Sequence, residues 1–328
     1  MHRIIKIIGI LAVSLSFCNK NPVDIPQEIP YEEQILFIQI ADTTKYKDLC
    51  SINPDGTEKH IISHYVRDPD KYIQEYIDYA CWSPDKSTIA IEGGPGRSLH
   101  FHPIWLMDNY GELIRQVIQA GEKPIWCYDG EHILLPGGYT FVFKLDIYGN
   151  NFETIYESED SIKFILGDVS QSGEWLLGSE FRIYKTEEGK AADTDLEVVM
   201  INITTGEKKY LTDNEVSDGS PKFNPDESLI AFSRMDVNES SSRQIYNLYV
   251  MNTDGSGVRQ LTDFSYNNGT IRKAWSPGGK KIAFDNVERG AYYYRDSDIF
   301  IVDIESGEII KITETAKDGL NYRLMDWK

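Results

Sequence analysis

The chain has 328 residues, of which 41% are hydrophobic, a globular composition that excludes disorder as the main state. Asp plus Glu number 52 against 33 Lys plus Arg, a formal net charge of -19, so the chain would repel a phosphate backbone and nucleic-acid binding is excluded as a leading function. Aromatic residues reach 12%, with 20 Tyr and 6 Trp, which favours β structure.

Residues 1–17 carry Arg3 and Lys6, no acid, and an apolar run from Ile7 to Phe17. That run is too short to span a bilayer and suits a secretory signal. Leu15-Ser16-Phe17-Cys18 resembles a bacterial lipobox, which implies lipidation of Cys18; Phe17 stands where that pattern has a small residue. Cleavage after Ser16, as in an ordinary signal, is the alternative. Residues 18–34, with Pro22, Pro26 and Pro30, then form a short tether. On either reading the chain is exported to the cell envelope. On the first, lipid alone anchors it to a bacterial membrane, on the periplasmic side or the cell surface.

Residues 35–328 are built of repeats. Each unit is four short β-patterned runs separated by turn residues. The first run and its turn appear at Trp82-Ser-Pro-Asp85, Trp126-Cys-Tyr-Asp-Gly130, Val169-Ser-Gln-Ser-Gly173, Phe223-Asn-Pro-Asp226 and Trp275-Ser-Pro-Gly-Gly279, and the same interval leads on to Trp327. The turn between third and fourth runs gives an independent register. It reads Asn53-Pro-Asp-Gly56, Asp108-Asn-Tyr-Gly111, Asp146-Ile-Tyr-Gly149, Asn202-Ile-Thr-Thr-Gly206, Asn252-Thr-Asp-Gly255 and Asp303-Ile-Glu-Ser-Gly307, hence six units. Ile35–Ile40 is a second strand with no first strand before it, and Leu324–Trp327 is a first strand with no second after it. Joining them closes a ring without open sheet edges. The predicted fold is all-β, a six-bladed β-propeller of four-stranded antiparallel blades, closed by the C-terminal strand pairing into the first blade. A closed ring of this kind is expected to be monomeric.

Cys50, Cys81 and Cys127 are the thiols within the repeats. Cys81 precedes its repeat Trp and Cys127 follows its own, so both point away from the Trp face and should not meet. Cys50 is expected in the core.

The Trp-Ser-Pro-Asp turn, the Lys281-Ile-Ala-Phe284 strand, and Asn252-Thr-Asp-Gly255-Ser-Gly257 followed by Gln260-Leu-Thr262 resemble the WD40-like repeat of the TolB family. The resemblance covers roughly residues 35–328 and is strongest over 219–313. It implies the propeller architecture and, by analogy with TolB, an envelope protein that works through protein contacts. TolB carries an N-terminal domain before its propeller, and only the short tether stands there in this sequence. The resemblance therefore points to a stand-alone TolB-like envelope lipoprotein.

With the strands of a blade running A to D, the A–B and C–D turns share one end and the B–C and D–A connections the other. The B–C connections 93–103, 185–195, 234–246 and 286–297, and the D–A connection 67–79, are long and fall on one rim. Loops held by a rigid scaffold carry function disproportionately, and this rim is the expected binding face. It gathers Arg97, His100, His102, Arg243, Arg289, Tyr292, Tyr293, Tyr294 and Arg295; Arg and Tyr are common interface anchors. The alternative is that the Tyr run folds down over the blade ends.

The expected function is non-enzymatic binding of an envelope protein or cell-envelope polymer, with no cofactor and no nucleic acid. A metal-dependent polysaccharide-acting enzyme is the alternative, since TolB-like repeats also occur in oligogalacturonate lyases, whose propellers use His ligands and a divalent metal. His64, His100 and His102 are the metal candidates on this rim. A small-ligand sensor using the central channel is supported by the fold alone. No Gly-x-Ser-x-Gly elbow of a hydrolase and no complete phosphate loop occurs.

Overall fold

The repeat turns fold as six small antiparallel sheets. A computed structural model describes residues 33–41, 46–66, 77–95, 102–185, 191–236, 245–264, 272–287, 297–314 and 320–328. Blade two is β4 (Ile77–Trp82), β5 (Thr88–Gly93), β6 (Ile104–Asp108) and β7 (Leu113–Ile118). Blade three is β8 (Ile125–Trp126), β9 (His132–Gly137), β10 (Phe141–Asp146) and β11 (Glu153–Glu157). Blade four is β12 (Ile162–Val169), β13 (Trp175–Lys185), β15 (Glu197–Asn202) and β16 (Lys208–Tyr210), with β14 (Ala191–Asp193) paired to the far end of β13. Blade five is β17 (Asp218–Phe223), β18 (Leu229–Asp236), β19 (Ile245–Asn252) and β20 (Arg259–Gln260). Blade six is β21 (Lys273–Trp275), β22 (Lys281–Val287), β23 (Ser297–Asp303) and β24 (Ile309–Lys311).

Blade one is composite, as the half-units predicted. Its strands β1 (Ile35–Ala41), β2 (Tyr46–Ile52) and β3 (His60–Val66) take β25 (Leu320–Trp327) as their inner member. The seam runs antiparallel from Ile35 opposite Trp327 to Ala41 opposite Leu320. Gln34 and Lys328 extend it by exchanging backbone hydrogen bonds of 3.0 and 2.9 Å.

A four-stranded sheet has two apolar faces, and each is buried against a neighbouring blade. Ile38 and Leu49 of blade one pack with Trp82, Ile89 and Met107 of blade two. Ala90 and Leu106 of blade two pack with Trp126, Ile133 and Leu145 of blade three. The last interface joins Ala283 and Ile301 of blade six to Phe37 and Tyr322 of blade one. The three thiols are free and buried. Cys81 lies between blades two and three and Cys127 between blades three and four, as the strand period required. No helix among the described residues is long and apolar enough to cross a membrane.

The repeat signature has a physical cause at each turn. In Trp-Ser-Pro-Asp, Ser83 Oγ accepts from the Thr88 amide (3.0 Å) and donates to Asp85 Oδ1 (2.6 Å), closing the A–B turn. Asn224 takes the same place in blade five, accepting from the Leu229 amide at 2.9 Å. In the C–D turns one carboxylate oxygen collects the following amides: Asp108 Oδ1 accepts from Tyr110 and Glu112, both at 2.9 Å. The Gly that ends this turn is required twice over. Gly111 has φ +88°, and a Cβ there would stand 2.0 Å from the Ile62 carbonyl oxygen of the preceding blade. Gly149, with φ +81°, meets Val117 O in the same way at 2.1 Å. In blades five and six a threonine two residues after the D strand adds a third device. Thr262 and Thr313 each accept from a C-strand amide, of Leu248 and Ile299, at 2.9 Å.

Candidate functional site

The B–C and D–A connections do leave at one end of the ring. On blade two that end brings together Asp78 at the start of β4, Glu92 near the end of β5 and His102 before β6. Their ligating atoms all lie within 4.8 Å of one another. Glu92 is buried; its Oε1 lies 2.8 Å from His102 Nδ1 and its Oε2 accepts from the Lys123 amide at 3.0 Å. Asp78 Oδ1 accepts from Lys47 Nζ of blade one at 2.7 Å. Two carboxylates and an imidazole suit a borderline divalent cation such as zinc or manganese. The same groups are already hydrogen-bonded within the protein, and the Lys47–Asp78 contact also bridges blades one and two.

His64 has a different partner. Its Nδ1 lies 2.5 Å from Asp48 Oδ1 within blade one. Burial raises the Asp48 carboxyl above its ordinary value, against the opposing hydrogen bond and charge of His64. His64 and His102 therefore each engage their own carboxylate, and His64 is not part of the donor group on blade two. Cys18, Arg97, His100, Arg243, Arg289, Tyr292, Tyr293, Tyr294 and Arg295 lie outside the described residues. Two arginines at described strand ends on this rim are already paired. Arg234 forks onto Asp218 through Nε (2.8 Å) and Nη2 (2.7 Å), and Arg272 Nη1 meets Asp285 Oδ2 at 3.2 Å. Sequence reasoning missed Asp78 and Glu92. They occupy no shared motif, and only the strand register brings them to His102.

The inner strands of all six blades enclose a second region, a cavity of ≈ 340 Å³ on the ring axis. It runs from Tyr79 and Lys273 to Pro84, Tyr128, Pro225 and Pro277 at the A–B turns, so it reaches the tight-turn end, opposite the long-loop rim. Its walls include the aromatic residues Trp82, Trp126, Tyr128, Trp275 and Trp327. Two indoles are locked in place: Trp126 Nε1 donates to Cys81 O (3.3 Å) and Trp275 Nε1 to Lys222 O (3.2 Å). The residue just before each repeat Trp, Phe or Val forms a ring of its own, and in blades one, four and five it is Asp326, Asp168 and Lys222.

The two acids do the same job. Asp168 accepts from its own neighbour Val169 N (3.0 Å) and from Phe223 N of the next blade (3.1 Å). Asp326 accepts from Trp327 N and from Trp82 N of the next blade, both at 2.8 Å. Burial raises the Asp168 carboxyl, with Lys222 opposing. Burial works against the Lys222 ammonium, but Asp168, Tyr79 and Asp326 outweigh it and hold the lysine above its ordinary value. Lys273 goes the other way: burial, reinforced by Lys222 and only partly offset by Asp285, pulls it down to about 7.

A third concavity, of ≈ 590 Å³, lies on blade four beside Glu180 and Glu197. Its carboxylates are engaged by Tyr156, Lys208 and Tyr210 on Glu180 and by Thr212 on Glu197.

No protein-family model matches the chain. Solved structures share its fold. A putative TolB from Agrobacterium tumefaciens superposes with a TM-score of 0.59 at 14% identity, covering 89% of this chain and 99% of that one. TolB from Acinetobacter baumannii gives 0.61 at 15% identity, covering 90% and 66%. An oligogalacturonate lyase in complex with manganese gives 0.51 at 16% identity, covering 85% and 73%. Among curated proteins, an uncharacterized peptidase, YuxL, of Bacillus subtilis is 23% identical over 171 residues, 52% of this chain. The match spans 23% of that peptidase's length. The fold is thus that of the TolB-like six-bladed propellers.

Proposed function

We propose that this chain is an exported, lipid-anchored, non-enzymatic propeller that binds an envelope protein or cell-envelope polymer through its long-loop rim. The observation that carries the reading is the asymmetry of the two ends. One end is closed by short turns locked by Ser83, Asn224 and Asp108. The other receives the long connections, and its described strand ends carry the Asp48–His64 pair and the group of Asp78, Glu92 and His102. The signal-like residues 1–17 before Cys18 and the likeness in fold to TolB support an envelope compartment. Recovery of partners from an envelope extract by the wild type and by a Tyr293→Ala, Arg295→Glu variant tests the face. Loss of partners from the variant is expected; equal recovery by both sinks the proposed rim. Radiolabelled palmitate incorporation, abolished by Cys18→Ala, tests the anchor.

A second reading rests on Asp78, Glu92 and His102, whose mixed oxygen and nitrogen donors would serve a metal-dependent enzyme acting on a polysaccharide. Elemental analysis of the purified protein discriminates. A divalent ion near one per chain that is lost in His102→Ala supports this reading, and no ion above background removes it.

A further inference from the structure

Along the axial cavity the polar groups are not equally served. Each carboxylate oxygen of Asp168 and Asp326 already accepts a backbone N–H. The ammoniums are less well provided. Lys222 Nζ stands 4.0 Å from Asp168 Oδ1, an ion-pair distance but too long for a hydrogen bond, and it makes none with the described residues. It is enclosed by the ring yet keeps 30% of its side-chain surface accessible within the channel. Lys273, 6% exposed, donates once, to the Ser220 carbonyl at 2.8 Å. That carbonyl belongs to a bulge in β17, where Ser220 takes φ +52°. An ammonium has three donors, so Lys222 keeps all of them and Lys273 two. Neither ammonium fills its donors from the described residues.

We infer that the axial cavity is a binding site for a small organic anion, a carboxylate on a flat apolar body, held by Lys222 and Lys273 and packed against the channel tryptophans. The charged head supplies the acceptors that the two ammoniums do not find in the protein. It also lies between two like charges whose mutual repulsion it relieves. The body is organic because aromatic residues form part of the wall, with the indoles of Trp126 and Trp275 held by their N–H bonds. A cavity of ≈ 340 Å³ is at the small end for ligand sites and suits a single-ring acid. Entry is from the A–B turn end, between Pro84, Tyr128 and Pro225. The site is independent of the long-loop rim and stands whether or not that rim binds a partner.

The test is calorimetric titration of the purified protein, with tryptophan fluorescence in parallel, using benzoate, phenylacetate and indole-3-acetate. Benzamide, benzylamine and inorganic phosphate are the controls. Saturable binding of at least one carboxylate is expected, at least about tenfold tighter than its neutral or cationic counterpart. Lys222→Met and Lys273→Met are each expected to weaken it about tenfold or more, with circular dichroism unchanged. The acid-against-amide comparison in the wild type holds even if a lysine variant does not fold. No saturable binding of any of the three acids up to roughly 10 mM overturns the proposal. So does equal binding of benzamide or benzylamine, binding of phosphate as tight as that of the acids, or wild-type affinity in both folded lysine variants.

Discussion

Asp326 and Trp82 are 244 positions apart in the chain and are joined by a 2.8 Å hydrogen bond from the Trp82 amide to Asp326 Oδ2. Asp168 makes the same bond to Phe223 at the opposite side of the ring. The inner strands of neighbouring blades are not paired in one sheet, so a carboxylate tie of this kind replaces the missing ladder bond. It fixes neighbouring blades to one another at the axis.

Removing that tie leaves two amides without an acceptor. Asp326→Ala is therefore expected to cost about 2–3 kcal/mol of stability, and Asp326→Asn, which keeps one acceptor oxygen, about half as much. Urea unfolding followed by tryptophan fluorescence checks this. A loss below about 0.5 kcal/mol in the alanine variant would show that the seam of β1 with β25 holds the ring without it.

The tight turns can be tested with a paired substitution. Gly173 and Gly111 both have positive φ, +72° and +88°, but a Cβ at Gly173 meets nothing within 4 Å while one at Gly111 runs into Ile62 O. Gly173→Ala is expected to cost about 1 kcal/mol, from backbone conformation alone. Gly111→Ala should exceed it by about 2 kcal/mol or more, since backbone must move. Equal melting temperatures for the two variants would contradict the close approach.

Lys273 gives the molecule a definite pH response. Its folded-state value of about 7 lies below that of the unfolded chain. Between the two the unfolded state binds more protons, so this group makes stability rise as pH rises from about 7 toward 10. Below about 7 both states are charged and the full cost of burying the ammonium is present. Lys273→Met removes that cost, so its stabilisation relative to wild type is expected to be larger at pH 6 than at pH 9.5. Thermal melts at the two values decide it, and a gap independent of pH would refute the assignment.

The three cysteines offer a check on burial. Burial pushes the Cys50 and Cys127 thiols up to about 12 and raises Cys81 further, with Asp48, Asp129 and Asp326 contributing respectively. In a Cys18→Ser chain, a thiol reagent is expected to find no rapidly reacting group in the native state and all three after denaturation. Fast reaction of even one in the native state would exclude the packing described for it.

How much of this was legible in the sequence follows from what kind of interaction specifies each part. The blades were readable because Ser83, Asp108 and Gly111 act within a few residues of themselves, and a local demand leaves a local motif. The closure was readable because Ile35–Ile40 and Leu324–Trp327 are complementary halves of that motif. The Asp78–Glu92–His102 group was not, because its members come from three strands and share no spacing. Only His102 stood out, by residue type. The pairing of His64 with Asp48 escaped for the same reason. The axial ring was partly visible: its residues occupy the position before each repeat Trp, Phe or Val, but six different environments turn that one position into Asp326, Cys81, Ile125, Asp168, Lys222 and Ala274, and nothing repeats to announce it.

The contacts of Gly111 on Ile62 O and Gly149 on Val117 O join blades backbone to backbone near the outer edge of the ring. A side chain can change rotamer to accommodate a guest; a carbonyl wedged against a glycine has no such freedom. These first blades therefore resist being pressed together at their outer edge. A movement that would bring them closer has to be taken up at the hub or in the loops above it.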